Sequence, residues 1–148
     1  MDEKDGPVEG TFPFHTIRPY QDEAADAITS TLDDGARLLL SAPTGIGKTA
    51  AAVYGAARFQ AITGDRLFYV TARTTHQLVV MDTYAKMVEA GWGLRAIQIA
   101  AKGRICPEKD GVCPSCPRMN VYHRKGSGDA LARLAKRSII LPRHVLKV

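Results

Sequence analysis

The chain has 148 residues, enough for one ordinary domain with its own hydrophobic core. Hydrophobic residues make up 45% and charged residues 24% of the chain, which is the composition of a soluble globular protein. No stretch approaches the roughly 20 apolar residues that span a bilayer, and the acidic start has no apolar signal sequence. These features exclude a membrane protein and predict a cytoplasmic one, where a disulfide is the least favoured use of the three cysteines.

Charge is divided unevenly along the chain. The net charge is +5, but residues 1–101 carry 9 basic against 12 acidic residues, and residues 102–148 carry 11 against 3. The first part is therefore at −3 and the second at +8. A basic segment of this strength favours a polyanionic partner, most simply nucleic acid.

Helices and apolar strands alternate after an acidic leader at residues 1–16. Glycines at positions 35, 64 and 91 are expected to end the three helices. Strands that alternate with helices predict an α/β fold with a parallel sheet flanked by helices. The predicted order is helix 18–35, strand 37–42, helix 48–64, strand 66–72, helix 75–91 and strand 94–101. The expected buried faces are Ala24, Ala27, Ile28 and Thr31 on the first helix and Leu78, Met81, Ala85 and Val88 on the third.

The segment "APTGIGKT" at residues 42–49 lies between a predicted strand and a predicted helix, the context of a phosphate-binding P-loop. Glycines let the backbone turn its N–H groups toward a β-phosphate, and the helix N-terminus adds positive potential. The lysine is expected to reach the β- and γ-phosphates, and the threonine hydroxyl to bind Mg²⁺. The candidate site comprises Ala42, which replaces the usual first glycine, and Pro43, Thr44, Gly45, Ile46, Gly47, Lys48 and Thr49.

Hydrolysis of a nucleotide also needs an acidic Mg²⁺ partner at the end of a second core strand. The segment "LVVMD" at residues 78–82 matches superficially, but its apolar residues recur at helical spacing, which predicts that Asp82 lies at an exposed helix position. The sequence offers no other candidate. We therefore expect the chain alone to bind nucleotide weakly and to hydrolyse it poorly.

Beyond residue 101 the alternation stops, and Cys, Pro, Gly and basic residues dominate. All three cysteines lie in "CPEKDGVCPSCP" at residues 106–117. The stretch "GSGDALARLAKRS" that follows predicts a basic helix. The residues alone leave a zinc site open, because Cys106, Cys113, Cys116 and His123 would make a complete Cys₃His set.

Four segments in order, "RPYQ", "APTGIGKT", "YVTARTTHQ" and "AAKGRICP…CPSCP", resemble the N-terminal motor portion of DinG/XPD-type iron–sulfur DNA helicases. The resemblance covers roughly residues 17–148. It implies a partial RecA-like ATP-binding domain over 17–101 and the start of a small, Cys-rich iron–sulfur insertion over 102–148. It also implies a superfamily 2 helicase that engages single-stranded or forked DNA and, in the full-length family, unwinds duplex DNA with ATP hydrolysis. A place in DNA repair and further helicase domains C-terminal to this chain are implied as well.

Site residues follow from the resemblance at the matching positions. Arg18 and Gln21 would lie near the adenine. The DNA contacts would come from Arg73, Thr74 and Thr75 at a strand end and from Arg133, Lys136 and Arg137 in the basic helix. Cys106, Cys113 and Cys116 would bind a [4Fe–4S] cluster, whose fourth cysteine would lie beyond Val148.

Two alternatives from other classes stay open beside the helicase interpretation. One is a zinc-stapled nucleic-acid-binding P-loop module that uses the Cys₃His set. The other is a P-loop kinase or regulatory NTPase that has incidental cysteines and no affinity for DNA.

Overall fold

The computed structural model describes residues 11–101, 106 and 132–142, and the chain divides into two compact units, Met1–Leu94 and Arg95–Val148. The first unit contains helices α1 (Gln21–Asp33), α2 (Lys48–Thr63) and α3 (Thr74–Glu89), which confirms the three helices predicted from the sequence. The described part of the second unit contains β1 (Ala96–Ile97) and β2 (Ile139–Ile140), with a helical turn at 132–135. None of the helices among the described residues is both long enough and apolar enough to cross a bilayer.

Glycine ends each of the three helices. At the end of α3, the Trp92 N–H donates to the Met87 carbonyl at 3.0 Å and the Gly91 N–H donates to the Val88 carbonyl at 3.1 Å. This is the Schellman motif, in which a residue in the left-handed conformation lets two carbonyls in the last turn of the helix accept backbone hydrogen bonds. The three predicted stops have the positive φ that this role requires, at 61° for Gly35, 72° for Gly64 and 94° for Gly91.

Helices α1 and α2 cross at very short range, because a glycine faces the backbone of α1. A β-carbon on Gly55 would lie 2.5 Å from the Ala25 carbonyl oxygen. The Thr29 hydroxyl lies 2.9 Å from the Gly55 carbonyl oxygen and 3.0 Å from that of Ala25. This crossing fixes the N-terminus of α1 relative to that of α2, where the phosphate loop joins the helix.

The predicted buried helix faces are confirmed in part, because Ala24 and Met81 are buried, but they differ at other positions. Ala27 on α1 is exposed, and Leu78 on α3, also predicted to be buried, is 60% exposed. Four adjacent apolar residues follow the first turn of α3, at 78–81, so its sequence is compatible with more than one buried face, and packing selects between them. Burial, with the nearby charge of Tyr69, raises the pKa of the Tyr84 phenol to about 12. The buried residues of α3 are Val80, Met81, Thr83, Tyr84 and Met87.

Two of the predicted strands do not form a sheet. Within the described residues, neither 37–42 nor 66–72 is assigned as a strand, so that part of the sheet prediction is wrong. Leu39 is 98% exposed and Val70 is 90% exposed. Apolar, branched residues favour an extended conformation, but a strand also needs a hydrogen-bonded neighbour, which the described residues do not supply to these segments.

The predicted strand at 94–101 is present in shortened form. Its residues Ala96 and Ile97 pair in parallel with Ile139 and Ile140. The Ala96 N–H donates to the Ser138 carbonyl at 2.8 Å, and an Arg95 side-chain N–H donates to the Ala135 carbonyl at 2.8 Å. In the sequence, all three cysteines lie in the connection between these two parallel strands.

Part of the predicted leader belongs to the first unit. The rings of Phe12 and Tyr54 lie edge to face with centroids 5.0 Å apart, and those of Tyr54 and Trp92 do the same at 5.8 Å. Phe14 lies 5.8 Å from Phe12. The indole N–H of Trp92 donates to the Thr11 carbonyl at 2.8 Å. We call these four rings the aromatic cluster; it fastens residues 11–14 to the middle of α2 and the end of α3.

Candidate nucleotide site

The loop at 42–47 turns the chain sharply into α2. Gly45 and Gly47 have φ of 90° and 84°, values that a residue with a β-carbon adopts only with strain. Gly47 caps the helix, and its carbonyl accepts the Ala51 N–H at 3.1 Å. The loop residues 43–45 are exposed. Backbone N–H groups at a helix start, beside an exposed loop, form an anion-binding arrangement.

Lys48 folds back over the loop that precedes it. Its ammonium group donates to the carbonyl of Ala42 at 2.8 Å and to that of Pro43 at 2.6 Å. An ammonium group has three N–H protons, so these contacts account for two of them. The charge is therefore held at the loop by protein carbonyls, and one N–H proton remains beyond these two contacts.

Two side chains, one just before α1 and one at its first residue, bind the same loop. The Arg18 guanidinium donates to the Gly45 carbonyl, and the Gln21 amide donates to the Gly47 carbonyl at 3.2 Å. The Gln21 side-chain oxygen in turn accepts the Arg18 backbone N–H at 3.0 Å. Although the partners lie 26 or 27 residues apart in sequence, the structure brings both residues to the phosphate loop. Contact of Arg18 and Gln21 with adenine stays a prediction.

Gln21 and Gly47 fit closely. Gln21 is only 3% exposed, and a β-carbon on Gly47 would collide with its side-chain nitrogen. Between the two loop-binding residues, Tyr20 has a φ of 64°, a left-handed conformation that is costly for a residue with a β-carbon. The hydrogen bonds of Arg18 and Gln21, on either side of Tyr20, offset this strain. The loop is therefore held at two of its carbonyls.

Residues 14–91 match the family described as "Type III restriction enzyme, res subunit". The match includes all three helices and the phosphate loop, and it spans more than half of the chain. The chain belongs to this family. The match makes the region a helicase-type domain, a class that uses ATP with Mg²⁺ in nucleic-acid work. No curated protein matches the chain, and no solved structure matches it.

The remaining predicted residues of this Res-subunit domain lie on α3 or directly before it. Arg73, Thr74 and Thr75 are exposed at the N-terminus of α3. Asp82 is exposed on α3 and pairs with Lys86 at 2.8 Å, which confirms the prediction that it is a helix-surface residue.

The described part of the second unit holds the other predicted DNA contacts. Arg133, Lys136 and Arg137 are exposed in and just after the helical turn at 132–135. Cys106 is half-buried, whereas Cys113, Cys116 and His123 lie outside the described residues. Residues 11–101, 106 and 132–142 hold no group of three or more potential metal ligands, so the predicted metal site, which needs the other residues, stays a prediction.

The residues that hold the chain before α1 were not predicted to have a role. The signal was present in "FPF" at residues 12–14, close before "RPYQ", and in the only tryptophan of the chain. Aromatic rings in a leader of otherwise acidic, Gly- and Pro-containing sequence indicate a packed segment, because they bury large apolar areas.

We expect Gly47→Ala to impair the nucleotide site more than Gly64→Ala, although both replace a glycine of positive φ. Gly64 has no atom within 4 Å of an added β-carbon, whereas Gly47 has Gln21 there. Both variants should lose about 1 kcal/mol of stability from backbone strain. Only Gly47→Ala should weaken Mg·ATP binding, by roughly 10-fold or more, as measured by calorimetric titration. Equal affinities in the two variants would contradict the role of the Gln21–Gly47 contact.

Proposed function

We propose that the chain is the nucleotide-binding part of an iron–sulfur DNA helicase of DinG/XPD type. The observation that carries this proposal is the phosphate loop, where the Lys48 ammonium group lies on the loop and the side chains of Arg18 and Gln21 bind its carbonyls. The Res-subunit family match is the coarser support. The order of the "RPYQ", P-loop, "TARTTHQ" and cysteine segments supports the finer assignment.

ATP would bind with its phosphates over the first turn of α2. The backbone N–H groups there and the Lys48 ammonium group would contact the phosphate oxygens, and the Thr49 hydroxyl would bind Mg²⁺. The Arg18 guanidinium adds a second positive charge at the loop. No acid in the described residues is assigned to complete the Mg²⁺ site, because Asp82 lies on the surface of α3. We therefore propose binding of ATP by this chain, with little hydrolysis by it alone.

Lys48→Ala tests the nucleotide site. Loss of a charged hydrogen-bond donor costs about 1.5–3 kcal/mol, so Mg·ATP affinity should fall by roughly 10- to 100-fold in a titration with fluorescent ATP. Arg66→Ala, which removes an exposed positive charge outside the loop, is the control and should leave affinity unchanged. If Lys48→Ala binds ATP as tightly as the wild-type chain, the assignment of the loop is wrong.

Single-stranded DNA is the proposed partner of the exposed basic residues. Arg73 and the threonines after it would donate to phosphates at the start of α3, where the helix dipole also favours an anion. Arg133, Lys136 and Arg137 would supply further phosphate contacts from the strongly basic C-terminal part of the chain. Charge and exposure support this proposal.

Replacement of Arg133, Lys136 and Arg137 together by Gln should reduce the salt dependence of DNA binding. Each lost phosphate contact on a single strand lowers the slope of log K against log salt by about 0.7, so three contacts amount to about 2. Anisotropy of a labelled oligonucleotide measures this slope. Arg37→Gln with Arg66→Gln is the control, because both residues are exposed in the first unit. A wild-type chain that binds ATP but no DNA would favour the non-helicase P-loop NTPase.

The cysteines are proposed as ligands of a [4Fe–4S] cluster, because Cys-x₂-Cys spacing lets Cys113 and Cys116 reach one cluster and Cys106 lies close in sequence. Metal analysis of anaerobically purified protein separates iron from zinc. We expect iron with acid-labile sulfide, lost in Cys113→Ser and retained in His123→Ala. One tight zinc that is lost in His123→Ala would instead identify the Cys₃His site. A cytoplasmic location and a place in DNA repair stay predictions.

A further inference from the structure

The segment from Thr11 to Gln21 is fastened at both of its ends. At one end, the aromatic cluster holds it by ring contacts of 5.0–5.8 Å and by the Trp92–Thr11 hydrogen bond of 2.8 Å. The Lys86 ammonium group also lies 4.9 Å from the centre of the Phe14 ring. Trp92 is only 2% exposed, so this end is part of the core.

At its other end, the segment holds the phosphate loop. Arg18 binds the Gly45 carbonyl and Gln21 binds the Gly47 carbonyl, both in the loop that carries Lys48. The residues between the two ends, 15–17, are exposed, and the chain from Phe14 to Arg18 can extend at most about 14 Å. A tether this short restricts where the Arg18 side chain can go. The aromatic end therefore limits the positions open to the loop-binding end.

We propose that Phe12 and Trp92 are positioning residues for the phosphate loop. They hold the tether, the tether holds Arg18 and Gln21, and these two side chains keep the loop carbonyls turned away from the phosphate position. This inference rests on the proposed ATP site and assigns a function to contacts outside it. The positioning is expected to affect binding of the triphosphate part of ATP, because the carbonyls of Gly45 and Gly47 belong to the phosphate loop.

The left-handed Tyr20 supports this assignment. Its φ of 64° lies between the two residues that bind the loop, so the chain bends sharply where it passes from the tether into α1. Strain of this kind persists only where neighbouring contacts hold the conformation. When the aromatic end is released, the bend loses one of its supports and the two side chains lose their alignment with the loop.

The test compares Phe12→Ala with Phe68→Ala, which removes the same side chain from a position that is 81% exposed. Two probes are titrated in the presence of Mg²⁺: ATP and inorganic tripolyphosphate. Phe12→Ala should weaken both by about 5-fold or more, the usual range for coupling between separate sites. It should also speed amide hydrogen exchange in residues 43–48 of the unliganded protein. Phe12→Tyr, which keeps the ring, should restore the wild-type values, and Phe68→Ala should leave them unchanged.

A second variant separates positioning from general stability. Insertion of Gly-Ser-Gly-Gly between Thr16 and Ile17 leaves both ends intact and lengthens the tether. It should weaken tripolyphosphate binding as Phe12→Ala does, while the emission of Trp92, the only tryptophan, keeps its wild-type wavelength. Phe12→Ala should shift that emission to the red, because it uncovers the indole ring.

The outcomes separate the two proposals. Weaker binding of ATP with unchanged binding of tripolyphosphate would mean that the segment contacts the base, and would overturn the positioning role. A red shift of Trp92 with unchanged affinities and unchanged exchange would overturn it too. A wild-type chain that binds neither probe would refute the proposed nucleotide site. Hydrogen exchange would still test the positioning role in that case: faster exchange at 43–48 in Phe12→Ala and in the insertion variant would support it, and unchanged exchange would overturn it.

Discussion

The carbonyl of Gly47 accepts two hydrogen bonds, and the geometry of the first unit depends on them. One comes from the Ala51 N–H inside α2, and the other comes from the Gln21 side chain at the start of α1. Two helix N-termini are thereby joined at one atom. The bond requires α1 and α2 to approach closely, which they do because residue 55 has no side chain. If the buried Gln21 amide lacked this partner, the protein would lose roughly 1–3 kcal/mol of folding stability. The pairing is therefore specific as well as stabilising.

The same arrangement restrains the charged side chains at the loop. Lys48 and Arg18 place two positive charges on loop carbonyls, and the glycines at 45 and 47 have positive φ. Side chains that are held by such hydrogen bonds lose less freedom when they bind a phosphate group, and side-chain ordering costs about 0.5–1.5 kcal/mol per long side chain. This is a property expected of a helicase-type ATPase domain, whose catalysis relies on positioned charge more than on covalent chemistry.

The sequence predicted those features that depend on neighbouring residues. Helix ends at Gly35 and Gly91 follow from local φ requirements, and the loop at 42–49 follows from its spacing. The failures concern partners that are distant in the chain. Leu39 and Val70 lie in apolar segments that predict buried strands, but hydrogen-bonded neighbours decide whether a strand forms. Likewise the buried face of α3 depends on what packs against it, and the contact of Arg18 with Gly45 spans 27 residues that have no periodic signal.

The parallel register of β1 and β2 bears on what a metal would contribute to the second unit. A chain that leaves β1 must travel back along the sheet before it enters β2, and the connection of about forty residues that does so contains every cysteine. A metal that joined Cys106 to Cys116 would shorten this closed loop by about a quarter. Because closure cost varies with the logarithm of loop length, that saves only a few tenths of a kcal/mol. The strand pair would therefore gain little from a metal through loop closure alone.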